Sequence, residues 1–222
     1  LHEVAQVSMV ANVDLVDSKA RAKASVNIPN AGKLRKYGVR DMGGSIRYDG
    51  DVVAAWEPDL DVDLEGDLAL QSFAAPGISI EAGGGPIHAH VRGEHAEADG
   101  DVVLEGLDAS GTTIDSVQLK FEGEQTTDGS VGVEAKLHID TISMPDGQFD
   151  MQGLDGTMVA SIPPKGDLEA SADLVVKTFR FGDGDYSVDG GPVTFELAGD
   201  QISADIDLKR QDTPFLAGTI SG

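Results

Sequence analysis

His88 and His90 stand two residues apart in the run Ile87-His88-Ala89-His90-Val91, with His95 a little further on. On a strand this spacing puts both imidazoles on one face, where they bind zinc if a third ligand converges on them. The chain has no cysteine, which removes thiolate metal sites, cysteine nucleophiles and disulfides together. With His95 past a turn, the ordinary reading is a pair of solvated strand histidines. Asp59, Asp61, Asp63, Glu65 and Asp67 form a second candidate, a carboxylate ladder with calcium-like spacing. A calcium loop needs glycine and a tight curl that brings several oxygens together, whereas large apolar residues separate these acids. Asp183 and Asp185 around Gly184 could form part of a calcium-binding glycine-rich turn. The matching turn of the preceding repeat, Asp146-Gly147-Gln148, lacks the second acid, so plain turn chemistry accounts for both. No Ser, His and acid set marks a nucleophile, and no glycine loop of the helix-opening type is present to cradle phosphate. The expectation is a protein that is not an enzyme and carries no cofactor and no metal.

The elements that position these residues are strands. Met9, Ala11, Val13 and Leu15, then Ala20, Ala22, Ala24, Val26 and Ile28, alternate with polar positions around a turn at Asp17-Ser18. That pattern is an antiparallel hairpin with one apolar face. A basic loop or single helical turn follows from Pro29 to Tyr37, with Lys33, Arg35 and Lys36. Leu60, Val62, Leu64, Leu68 and Leu70 give the clearest alternation in the chain. Asp-Gly pairs at Asp49-Gly50, Asp99-Gly100, Asp128-Gly129 and Asp146-Gly147 predict tight turns between short strands.

The pattern repeats. Leu137, Ile139, Ile142, Phe149, Met151 and Gly153 recur 37 positions on as Leu174, Val176, Phe179, Tyr186, Val188 and Gly190. Leu68, Leu70 and Phe73 form an earlier copy, and Val102, Leu104 and Leu107 another. In each the apolar alternation skips one position, as from Ile139 to Ile142, which a β-bulge or a strand corner would produce. The units fall near 26–67, 68–101, 102–136, 137–173 and 174–209, so that residues 1–222 form one repeat-built segment. Repeats of this size cannot bury their own apolar face and must stack on neighbours. The fold class predicted is all-β, an elongated antiparallel sheet of stacked repeats of ~35 residues curved into an open, taco-like groove. A closed β-sandwich or β-solenoid array is the alternative.

Charge limits the partners. There are 39 acidic and 16 basic residues, a net charge of −23, and the imbalance lies beyond residue 48. Residues 1–48 carry four acids and eight bases, against 35 acids and eight bases in 49–222. Phosphate binding needs clustered Lys and Arg, so a nucleic-acid partner is not expected. No run approaches the ~20 apolar residues that span a bilayer, and no signal peptide is visible. The chain opens on Leu1 and ends at Gly222 inside what reads as another strand, Phe215 to Ile220. A longer polypeptide, with any membrane anchor outside this stretch, is the expectation.

What remains is the apolar face. Leu68, Leu70, Leu104, Leu137, Ile139, Leu174 and Val176 would line an open trough, whose natural occupants are hydrocarbon chains. The Gly- and Asp-rich repeats, with strands such as Gly191-Pro192-Val193-Thr194-Phe195-Glu196-Leu197 and Gly156-Thr157-Met158-Val159-Ala160 and the phrase Ser45-Ile46-Arg47-Tyr48-Asp49-Gly50, resemble the AsmA-like proteins of the Gram-negative envelope, including the TamB and YdbH groups. The resemblance runs from about residue 40 to the end. It implies a periplasmic bridge, anchored to the inner membrane by a segment not present here, whose β-groove carries phospholipid acyl chains between inner and outer membranes without enzymatic activity. Membrane contact would then be made by parts outside this stretch. The alternative is a structural or adhesive cell-surface β-repeat protein, with calcium stabilisation as a variant of that reading. A membrane β-barrel is disfavoured by the 5% aromatic content, too little for aromatic girdles.

Overall fold

Alternating apolar and polar residues with β-branched side chains give strands along almost the whole chain. The structure, a computed structural model, describes residues 5–37, 42–109, 111–144, 149–164, 168–181, 186–198, 201–210 and 213–221. In chain order the strands are β1 (Gln6–Asp14), β2 (Lys19–Ile28), β3 (Gly43–Ala55), β4 (Asp61–Ala75), β5 (Ile78–Arg92), β6 (His95–Ala109) and β7 (Thr112–Gln125). They continue as β8 (Val131–Ser143), β9 (Phe149–Ile162), β10 (Glu169–Phe181), β11 (Tyr186–Ala198), β12 (Gln201–Arg210) and β13 (Thr213–Ser221). A 3-10 turn at Ala31–Tyr37 occupies the basic loop and buries Ala31. Among the described residues no helix is long and apolar enough to cross a membrane.

The strands lie in one antiparallel sheet in chain order, β1 to β13, and the order does not close into a barrel. The chain divides into two units, Leu1–Leu107 and Asp108–Gly222. The all-β class and the open sheet are as expected. Each sequence repeat runs from the middle of one long strand through the whole of the next and into a third, as 137–173 runs from within β8 through β9 into β10.

The skipped position is a strand corner shared by both partners. In β8 and β9 the register Ile139↔Leu154 passes to Thr141↔Gln152, so Asp140 faces Gly153 and the pairing continues without a shift. Between β9 and β10, Leu154↔Val176 passes to Gln152↔Thr178 in the same way, leaving Gly153 opposite Lys177. Gly153 has φ 61°, left-handed geometry that glycine adopts freely and that reverses the direction of the chain's alternation. A side chain at Gly153 would meet the stem of Lys177, which crosses the glycine. The first unit carries the same device: Ser72, at φ 47°, faces Glu81 between β4 and β5, and Gly106, at φ 59°, lies under the Glu81 side chain. Register shifts are found between β3 and β4 at Gly43/Ser45, between β11 and β12 at Asp189/Val193, and between β12 and β13 at Leu208/Lys209.

The core of the second unit lies beside this corner. Val117, Ile139, Leu154 and Val176 face one another in a single row across β7, β8, β9 and β10, and all four are buried. Val176 retains 2% exposure although all the described strands belong to a single sheet. In a one-layer sheet such occlusion comes from neighbours on the same face, which a sheet bent toward that face brings together. In the first unit the buried apolar strand residues are Ile80 and Val102.

Two turn expectations are corrected. Asp49-Gly50 lies inside β3 and Asp99-Gly100 inside β6, so neither pair turns the chain, and Ser45 to Trp56 contains one strand where two were expected. The physical reason at Gly50 is packing: it faces Gly66 across the ladder, and the Tyr48 ring fills the space that both leave open. Leu15, expected within the first strand, lies in the turn that follows it. Asp128-Gly129 does turn the chain between β7 and β8. There the Thr126 hydroxyl and the Ser130 amide donate to the Asp128 carboxylate, and these hydrogen bonds hold its pKa down to about 2. The Asp146-Gly147 and Asp183-Gly184-Asp185 segments lie outside the described residues.

Candidate functional site

Strand pairing places every predicted lining residue on an apolar row of its own unit. In the first unit, Leu68 faces Tyr48 and Gly85, and Leu70 faces Ile46 and Gly83. Leu104 leans over Gly83, whose absent Cβ would come within 2.7 Å of its methyl group. In the second unit, Leu137 and Leu174 flank Gly156, and Ile139 and Val176 flank Leu154. Leu174 covers Gly156 as Leu104 covers Gly83, again within 2.7 Å of where a Cβ would stand. Glycines on this face therefore serve as seats for large side chains of the next strand.

Five of the seven, Leu68, Leu70, Leu104, Leu137 and Leu174, are half-buried, while Ile139 and Val176 are buried beside the corner. The row Phe121, Ala135, Met158, Ala172, Phe195 and Ala204 runs on the same face further from the corner, and in it Met158 and Phe195 are exposed. Leu154, Val117, Met158, Phe195 and Tyr48 belong to the face but were missed as lining residues. On β9 the cause is Gly153: its φ reverses the parity, so apolar positions 149 and 151 give way to 154, 156, 158, 160 and 162. Of the skips themselves only the one after Leu104 holds a glycine, Gly106; on β9 the available signal was Gly153, which recurs as Gly190 in the next copy.

Tyr48 is the odd member of the face. Its hydroxyl is buried over Gly50 and Gly66 and has no hydrogen-bond partner. Burial, then the charges of Asp51, Asp67 and Glu65, push the phenol pKa up. A phenol that has lost water without gaining a partner destabilises the fold, so Tyr48→Phe is expected to keep or raise stability, by up to about 1 kcal/mol. A lowered urea midpoint for this variant would show that the hydroxyl is held after all.

The opposite face is charged and cross-linked. His88 contacts Asp63 at 2.9 Å and Asp99 at 3.0 Å, and His90 contacts Asp61 at 2.9 Å. His95 contacts Glu97 at 2.7 Å. His138 contacts Asp155, which also pairs with Lys177 at 3.0 Å. Two carboxylates of the calcium-like ladder, Asp61 and Asp63, are thus engaged by His90 and His88 on the neighbouring strand. Among the described residues, no group of three or more His, Cys, Asp or Glu side chains could hold a metal ion. Arg47 and the Ser25 hydroxyl donate to Asp49; these contacts, Ser25 first, lower its pKa.

No protein-family model, no curated protein and no solved structure matches the chain.

Proposed function

We propose that this chain is a segment of a lipid-transfer bridge, in which the apolar face of the sheet holds phospholipid acyl chains while head groups stay in water. The observation that carries the reading is a single sheet, not closed into a barrel, with an apolar row in which Met158 and Phe195 stay exposed. Apolar surface left in water costs about 25 cal/mol for each Å², and chains of methylene groups are occupants without polar demands of their own. The mechanism is passive: an acyl chain exchanges one set of methyl contacts for the next along the face, and no bond is made or broken. The charged face, with its acidic ladder, keeps the sheet soluble and discourages edge-to-edge association. The resemblance to AsmA-like proteins adds the setting, a bridge across the periplasm anchored to the inner membrane.

The test is native mass spectrometry, with organic extraction, of the chain purified without detergent. Bound phospholipid is the expected result. A lipid-free protein whose melting temperature rises with calcium would overturn the reading in favour of a surface β-repeat array.

A further inference from the structure

On the charged face, two histidines sit so that geometry dictates their protonation. His88, on β5, places Nε2 2.9 Å from Asp63 Oδ1 on β4 and Nδ1 3.0 Å from Asp99 Oδ1 on β6. His138, on β8, places Nδ1 on Asp155 Oδ1 of β9 and Nε2 3.1 Å from Asp140 Oδ1 on its own strand. An ionised carboxylate only accepts hydrogen bonds, and a neutral imidazole carries a single N–H. A neutral ring in either place would turn a nitrogen lone pair on a carboxylate oxygen. The imidazolium alone donates on both sides.

We infer that His88 and His138 are proton-operated clamps between strands: charged, His88 ties β4 to β6 across β5 and His138 ties β8 to β9, and each releases one carboxylate when it loses its proton. The charged neighbours are mixed in sign: carboxylates predominate around His88, whereas lysines stand around His138 beside the two carboxylates that it touches. Glu65 on β4 stands directly opposite His88, and Glu97 lies nearby on β6; on β5 itself the neighbours are His90 and Arg92. Around His138, β7 offers uncharged Gln118 opposite and Lys120 beyond, its own strand offers Lys136 and Asp140, and Lys177 of β10 reaches Asp155. Hydrogen bonds to Asp99 and then Asp63 raise the His88 pKa, and the bond to Asp155 raises that of His138. A raised pKa in the folded chain means that the clamps contribute fully below the ordinary value of 6.5 and lose their contribution as pH rises through the raised value. The two rings keep 41% and 33% exposure, so the effect is modest and shrinks with added salt.

The clamps lie on the face opposite the apolar rows, so they stand or fall independently of lipid binding. The experiment is an NMR titration of the histidine ring protons of the whole chain between about pH 5 and pH 9, with amide exchange protection followed over the same range. His88 and His138 are expected to titrate above the ordinary value of 6.5. Protection of Ile87–Ala89 and Leu137–Ile139 should fall several-fold across those midpoints. Asp99→Asn and Asp140→Asn replace one carboxylate of each clamp by a group that can also donate to a neutral ring. These variants should return the midpoints toward the ordinary value and remove the step in protection. Titration of the wild-type His88 and His138 at or below the ordinary value of 6.5, or protection that shows no step, overturns the inference even if a variant fails to fold.

Discussion

Val176→Asn is expected to lower the stability of the second unit by about 3 kcal/mol or more, the sum of lost apolar burial and an unsatisfied amide. The same change one residue earlier, Val175→Asn, should move stability by less than about 0.5 kcal/mol. The contrast rests on facing direction. Val176 is 2% exposed, between Leu154 and Gly191, whereas Val175 is 53% exposed on the charged side between Asp155 and Pro192. Urea denaturation followed by far-UV circular dichroism measures both. Equal losses at the two positions would mean that β10 presents no apolar side.

The second large effect concerns lipid. Phe195 and Met158, 43% and 36% exposed, belong to one apolar row in which Ala172 separates them. Met158→Glu with Phe195→Glu should cut co-purified phospholipid at least about tenfold, which needs only 1.4 kcal/mol of lost contact, while the urea midpoint stays close to wild type. Leu137→Glu and Leu174→Glu touch the same face one row nearer the corner, where the side chains are half-buried. There a charge would remove lipid and stability together. Undiminished lipid in the Met158 and Phe195 variant would show that the acyl chains lie elsewhere.

These two tests also mark how far residue patterns could be read alone. Alternation along Leu60 to Leu70 and the 37-residue echo between Leu137 and Leu174 made strands, repeats and one apolar side legible, because each depends on local spacing. Direction changes were harder. The skip after Ile139 was visible, yet only Gly153 in left-handed geometry explains why Leu154, rather than Gly153, lines up with Ile139 and Val176. Glycine also misled at Gly50 and Gly100, where an Asp-Gly pair that usually turns a chain sits within a strand. At Gly50 the missing side chain, together with that of Gly66 on the partner strand, makes room for the ring of Tyr48 two residues back on the same strand, and the pairing with Gly66 is the part that local sequence does not contain. The histidine clamps were out of reach for the same reason: His88 meets Asp63 and Asp99, 25 and 11 positions away, through pairing register. His88 and His90 were legible as a same-face pair whose ordinary reading is solvated strand histidines, but the carboxylates they meet on neighbouring strands were not.

Within each unit every strand lies beside the strand that precedes or follows it in the chain. No pairing has to wait for a remote segment to arrive, so the entropy of closing loops stays small and contact order is low for an all-β protein. Any one hairpin can serve as a nucleus, and growth proceeds by adding the next strand to an existing edge. Such a chain can assemble progressively as it emerges, each new strand finding its template already in place.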